Sequence, residues 1–287
     1  MNESYKVLAT ITTYNPDIEL LEKNINAVVG QADKLLVYEN DSRNRQEIVE
    51  LCNKIGVEVV LNDKNYGVAG PLHDGVEYAD KNGYDYVFTL DQDSVISDGM
   101  VKKLATILMS DKKIAMVCGT RVNPDFVEPL PLEDWFGPVN SVITSGALSD
   151  VKAIKDVGNY IPELFIDAVD CEICYRLTKN GYQIFSSGVQ YLHCIGEPVK
   201  CKILFKTFRT LNYSPFRLYY TWRNSYFIFR NYRENKAIKE LKKYIRYMEI
   251  KVILVEKDKI KKLKAIRRGK KDSKKLYKEL KEKYSFL

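Results

Sequence analysis

Residues 84–93 read Tyr-Asp-Tyr-Val-Phe-Thr-Leu-Asp-Gln-Asp. The run from Tyr84 to Leu90 has the β-branched and aromatic content of a buried strand, and it stops on two carboxylates one residue apart, Asp91 and Asp93. The same pattern repeats on either side. Tyr5–Thr13 (YKVLATITT), Leu35–Glu39, Val57–Leu61 and Ile114–Cys118 read as strands, with helical patterns near 17–29, 45–55, 69–81 and 98–110. Strands alternating with helices predict an α/β fold, a mostly parallel sheet flanked by helices. Ligands of such sheets sit beyond the carboxyl ends of the strands. The segments of interest are therefore Thr13–Asn15, Asn40–Ser42, Asn62–Tyr66 and Asp91–Asp93.

Two carboxylates spaced as in Asp91-Gln92-Asp93, on a loop leaving a strand, can hold a hard divalent cation that bridges a diphosphate. A solvated loop with Asp93 or Ser94 capping the next helix is the plainer alternative. A second carboxylate pair, Asp167-Ala168-Val169-Asp170, opens a helical pattern at 170–179 that stops at Asn180-Gly181. One of these groups can act as a general base toward an attacking hydroxyl. The local pattern by itself favours Asp167 as helix cap with Asp170 as its partner three residues on. His193, one of two histidines, can complete a mixed carboxylate–imidazole site of the kind manganese accepts, or can be a half-buried residue at a strand end. Cys171-x-x-Cys174 does not read as a zinc site, because Cys174 falls on the apolar face of the helical pattern.

The 287 residues, 45% of them hydrophobic, suffice for a sizeable core. Residues 1–14 lack a basic segment followed by a long apolar one, and no run reaches the roughly 18 apolar residues that span a bilayer. The expectation is a cytoplasmic chain whose six cysteines stay reduced. The net charge of +7 hides a division: residues 1–199 hold 17 Lys/Arg against 30 Asp/Glu, and residues 200–287 hold 28 against 8. An acidic body and a basic tail imply separate tasks. Between about 120 and 147 the chain is Pro-rich and reads as a long loop over a site, and beyond 200 it reads as helical. Residues 205–232 contain 11 aromatics interleaved with Arg209, Arg217, Arg223 and Arg230. That composition fits a helix in a membrane interface, with the lysines of 236–283 drawn to anionic lipid, and it equally fits aromatics packed inward. Contact of the tail with nucleic acid is disfavoured by the acidic body.

Taken in order, Thr12-Thr13-Tyr14-Asn15, Glu39-Asn40-Asp41-Ser42, Asn65-Tyr66-Gly67, Asp91-Gln92-Asp93, Ser145-Gly146-Ala147 and FIDAVDCEICYR (Phe165–Arg176) resemble the family 2 glycosyltransferases over roughly residues 5–200. FIDAVD and His193-x-x-Gly196 look most like the rhamnosyltransferase branch. The resemblance implies a GT-A type catalytic domain over 1–200, followed by a helical, basic region over 201–287. It also implies inverting transfer from a nucleotide-sugar, dTDP-β-L-rhamnose in this branch, to a lipid-linked saccharide at the inner face of the plasma membrane. Donors such as UDP-galactofuranose, UDP-glucose or UDP-N-acetylglucosamine are the alternatives. By the same resemblance Thr12, Tyr14, Glu39, Asn65 and Asp91 face the nucleotide. Asp91, Asp93 and His193 hold Mn²⁺ or Mg²⁺, Asp170 is the base, and Trp135, Ser145, Gly146 and Asp167 lie on the acceptor side. Glu39 stands where the family usually has Asp, and His73 where it often has Asn; His73 receives no role.

Overall fold

The computed structural model describes residues 5–123, 132, 134–193, 199–203, 206–233 and 237–287, with the backbone alone for 199–203 and 206–209. Pro124, Pro129, Pro131, Cys194 and Gly196 lie outside the described residues.

The strands β1 (Val7–Thr13), β2 (Lys34–Glu39), β3 (Glu58–Leu61) and β4 (Tyr86–Asp91) pair in parallel in the order β3-β2-β1-β4. Helices α1 (Ile18–Val28), α2 (Arg45–Ile55) and α3 (Ala69–Lys81) connect them. The register sets Thr12 beside Asp91 and Thr13 beside Glu39, so the carboxyl ends of three strands meet at one edge. Alternation along β1 divides the core. Val7, Ala9 and Ile11 face α1, α2 and α4 (Met100–Leu108), while Leu8 shares the opposite cluster with α3, α5 (Val151–Asp156) and α6 (Val169–Lys179).

Past β4 the sheet is mixed. β8 (Ala147–Asp150) runs antiparallel between β4 and β6 (Ile114–Val122), and β9 (Gln183–His193) returns parallel to β6. Two short strands pair antiparallel with β9: β5 (Ser94–Ile96) and β7 (Phe136–Val139). The stretch expected to be one long loop thus contributes β7, and β6 reaches Val122. Asp93 and Ser94 do not cap a helix. Ser94 instead opens β5 opposite His193, and the following helix starts only at Met100, capped by Gly99 in a left-handed conformation.

The C-terminal region carries the hairpin β10 (Val199–Ile203) and β11 (Lys206–Thr210), then α7 (Pro215–Asn231), α8 (Ile238–Leu254) and α9 (Lys259–Lys283). Ser214 caps α7, accepting a hydrogen bond from Arg217 N at 3.2 Å, and Pro215 follows in the first turn, a favoured start. Of the aromatics expected at an interface, Trp222, Phe227 and Tyr232 are buried, and Phe227 and Tyr232 share one core cluster with Val169 and Ile173. Two of the interleaved arginines stack on rings of the same region, Arg217 over Tyr213 at 4.3 Å and Arg223 over Tyr220 at 4.6 Å. α7 lies so close to α9 that a Cβ at Gly269 would stand 2.5 Å from Tyr219 O. A buried ion pair ties α6 to this region: Arg176 donates to both Glu172 oxygens at 3.0 and 2.7 Å, and Tyr232 Oη donates to Glu172 Oε1 at 2.5 Å. Among the described residues no helix is long and apolar enough to cross a membrane.

Candidate active site

Asp91 ends β4, Asp93 precedes β5, and the pairing of Ser94 with His193 brings the end of β9 alongside. The result is a cluster in which one ligand atom each from Asp91, Asp93 and His193 lie within 4.8 Å of one another. Asn24, fully buried on α1, fixes the strand end by donating Nδ2 to Asp91 O at 2.8 Å. Ser145 completes the frame. Its Oγ accepts from Asp91 N at 3.0 Å and lies 2.7 Å from Ser94 Oγ, which in turn is 2.7 Å from His193 Nδ1. Ser145 O accepts from Tyr191 Oη at 2.6 Å. Gly146 adopts φ 77°, and a Cβ there would stand 2.5 Å from the Tyr191 ring, so only glycine fits.

Burial and mutual repulsion set the electrostatics of this cluster. Burial, then the Asp93 and Asp170 carboxylates, push the Asp91 carboxyl up to about 7. Asp93 is also raised by burial, and its Oδ1 is buried with no hydrogen-bond partner, 3.5 Å from His193 Nδ1. His193 is lowered by burial, which keeps the imidazole neutral as a metal ligand must be. Two carboxylates, a neutral imidazole and an orphaned buried oxygen fit a divalent cation of the Mn²⁺ or Mg²⁺ kind.

The second carboxylate pair is not a helix cap. Ala168 occupies the N-cap of α6 at φ 60° without a side-chain hydrogen bond. Asp170 sits in the first turn, its Oδ1 accepting from Cys171 N at 3.0 Å, and burial raises it to about 6. Asp167, at φ 63°, turns its carboxylate to α7, where Arg217 Nε donates at 3.1 and 3.2 Å and Thr221 Oγ1 lies 3.0 Å away. Asn224, also on α7, donates Nδ2 to the carbonyls of Leu164, Ile166 and Asp167 at 2.8, 2.9 and 2.8 Å. Sequence reasoning missed Arg217, Thr221 and Asn224. The available signal was a set of polar residues, Thr221, Asn224 and Ser225, on an otherwise apolar helix stripe.

The residues on the other side of β1 are a braced turn. Tyr14 is exposed, with its N–H donating to Gln92 Oε1 at 2.6 Å, and Thr12 neighbours Asp91 in the sheet. Glu39 is fully buried and committed to the protein: it accepts from Ser42 N and from Arg45 Nε, each at 2.5 Å. Burial raises its carboxyl, and these hydrogen bonds outweigh that and hold it below the usual range. Asn65 Oδ1 accepts from Gly67 N at 2.7 Å, and Gly67, at φ 67°, abuts Phe165 O so closely that a Cβ would stand 2.1 Å from it. Val68 N and Ala69 N donate to Phe165 O at 2.8 and 3.1 Å, joining the Asn65 turn to the Asp167 loop. Trp135 lies half-exposed before β7, bonded through its carbonyl to Gly188 N at 2.6 Å. His73 serves the scaffold, its Nδ1 lying 2.8 Å from Tyr160 O.

This edge of the sheet falls in a recognised region. Residues 9–152 match the model of the glycosyl transferase family 2. The chain is 28% identical over 246 residues to a dTDP-rhamnosyl transferase, RfbF, of Shigella flexneri, covering 78% of this chain and 80% of that protein. It is 27% identical over 142 residues to the UDP-forming cellulose synthase catalytic subunit of Pseudomonas fluorescens, covering 48% of this chain and 18% of that one. Among solved structures, GalNAc-T7 with UDP, GalNAc and Mn²⁺ superposes with a TM-score of 0.57 at 14% identity, over 86% of this chain and 55% of that one. S. aureus TarS residues 1–349 gives 0.52 at 14% identity, over 94% and 91%. These likenesses establish a GT-A fold. With strand order, acidic edge and family model in agreement, the chain belongs to glycosyl transferase family 2 and is rhamnosyltransferase-like.

Proposed function

We propose that the protein is a divalent-cation-dependent inverting glycosyltransferase that moves L-rhamnose from dTDP-β-L-rhamnose to a lipid-linked saccharide during bacterial surface polysaccharide synthesis. The observation that carries this reading is the convergence of Asp91, Asp93 and His193 within 4.8 Å at the carboxyl edge of the sheet. In it, residues 1–200 form the catalytic body. Asp91, Asp93 and His193 would hold the cation, which when bound offsets the charge of the donor diphosphate and of the departing nucleoside diphosphate. Thr12, Tyr14, Glu39 and Asn65 shape the nucleotide side, Glu39 by holding the Ser42–Arg45 turn in place rather than by direct contact. Asp170 takes the proton from the acceptor hydroxyl as that oxygen attacks the anomeric carbon, and a single displacement inverts its configuration. A carboxyl near 6 suits this role, since it is ionised at neutral pH yet basic enough to accept a proton. Asp167, Trp135, Ser145 and Gly146 are assigned to the acceptor side.

The likeness to a dTDP-rhamnosyl transferase supports the donor. The test is a thermal-shift and transfer screen of dTDP-rhamnose against UDP-galactofuranose, UDP-glucose and UDP-N-acetylglucosamine, with Mn²⁺ or Mg²⁺. Stabilisation and turnover by dTDP-rhamnose alone are expected; preference for a UDP-sugar would replace the donor and leave the site intact.

We further infer a peripheral position on an anionic membrane, at the cytoplasmic face. Trp222 and Phe227 of α7 are turned inward, and the exposed surface that supports this reading is on α8. Tyr247, Ile250, Ile253 and Leu254 are each about half exposed beside Lys243, Arg246 and Lys251, and Ile260 follows at 72%. Apolar side chains flanked by cations match an anionic lipid interface.

A further inference from the structure

We infer that the polar edge of α7 is a positioning element of the transfer site: Asn224, with Thr221 and Arg217, fixes the 163–168 loop in the turn from which Asp170 is aimed. The inference rests on the reading of Asp170 as base. Phe165, Asp167 and Ala168 have φ of 64°, 63° and 60°. Positive φ is unfavourable for residues with a Cβ, and three such residues among four do not hold their shape alone. No glycine relieves them, so the conformation is imposed from outside.

The imposing contacts are specific. Asn224 is fully buried, and its Oδ1 accepts from Arg223 Nε at 3.0 Å. That bond orients the amide so that its N–H₂ faces the loop, where one nitrogen serves the carbonyls of Leu164, Ile166 and Asp167. Arg223 Nη2 adds Glu163 O at 2.6 Å and Leu164 O at 3.1 Å. Thr221 and Arg217 hold the Asp167 carboxylate, three residues before Asp170. On the opposite side Phe165 O is gripped by Val68 N and Ala69 N. The loop is therefore clamped between the Asn65–Ala69 turn and α7, and α7 is anchored through the buried Trp222 and Phe227. A basic tail that sequence alone divides from the catalytic body thus supplies the side that sets the geometry of its base.

The consequence is a loss of turnover without loss of donor. A displacement of about 1 Å at a reacting group costs on the order of 100-fold in rate. Transfer kcat, donor affinity by calorimetry with Mn²⁺, and melting temperature are to be measured for Asn224→Ala, Thr221→Val and Thr221→Ser, beside Asp170→Asn as reference. The expected result is kcat lowered roughly 100-fold in Asn224→Ala and several-fold in Thr221→Val. Donor affinity stays within about threefold, and Thr221→Ser, which keeps the hydroxyl, restores the rate. If Asn224→Ala does not fold, the isosteric Thr221→Val and the Thr221→Ser pair decide. Full kcat per folded molecule in Asn224→Ala and Thr221→Val, with Asp170→Asn inactive, overturns the positioning role. A fully active Asp170→Asn instead overturns the base reading beneath it.

Discussion

Replacing Asp170 by Asn is expected to slow the enzyme while making it no less stable. A lost general base lowers the rate by about two to four orders of magnitude, or roughly 3–5 kcal/mol of activation free energy. The stability effect has the opposite sign. Burial lifts the Asp170 carboxyl from its ordinary value of 3.8 to about 6, so the native state holds this proton more tightly than the unfolded chain. Its favourable contribution is complete below pH 3.8 and is lost as pH rises through about 6. At neutral pH the ionised group therefore opposes folding, by ~3 kcal/mol at most from a shift of about two pH units. Asparagine removes that charge and still accepts the Cys171 N–H. Transfer rate, donor affinity and melting temperature of the variant at pH 7.5 form the assay, with Asp167→Asn as control. The wild-type rate should also fall about tenfold per pH unit below 6, as the base form is titrated away. A folded Asp170→Asn enzyme that keeps more than about a tenth of its rate refutes the assignment.

Three further outcomes follow from the packing. Gly67→Ala places a Cβ 2.1 Å from Phe165 O at φ 67° and should cost more than about 1 kcal/mol, read as a lowered denaturation midpoint together with weakened donor binding; a wild-type midpoint contradicts it. Arg176→Met strands the buried Glu172 carboxylate and should destabilise by about 3–5 kcal/mol, measured by urea unfolding, whereas a loss below about 1 kcal/mol would show that the pair is dispensable. Ile250→Asp with Leu254→Asp, both on the exposed face of α8, should abolish co-sedimentation with phosphatidylglycerol vesicles and leave soluble turnover unchanged. The parent protein should release at high salt, because exposed charge is screened within about 8 Å at physiological ionic strength. Equal recovery of the parent in the supernatant with and without anionic lipid speaks against membrane docking.

The sheet was legible because strands such as β1 and β4 are apolar throughout and the helices between them carry a clear period. α3 and α2 fall at 69–81 and 45–55 as read. β5 was not legible: three residues, Ser94–Ile96, make a strand only because β9 arrives beside them from a hundred residues away. That pairing is what joins His193 to the aspartates, so the carboxylate pair was legible from spacing and strand position, whereas His193 beside it could be assigned only through the resemblance. The helix start at Asp167–Asp170 misled for a related reason. Local propensity favours a capping box, but Arg217, Thr221 and Asn224 hold the segment in another shape, and tertiary contacts outweigh a preference of that size. The aromatics of 205–232 show a third limit. A helix with large apolar residues and scattered arginines reads alike whether its partner is lipid or protein, and only the burial of Trp222 and Phe227 separates the two.

The most direct test of the account is donor binding measured by titration calorimetry in chelator-treated protein, with and without added Mn²⁺, for the parent and for Asp93→Ala. The account predicts that the parent binds dTDP-rhamnose only with the cation. Asp93→Ala, folded by its melting curve, should bind neither efficiently and transfer nothing. Cation-independent binding and turnover in the parent, or an active Asp93→Ala enzyme, would contradict it.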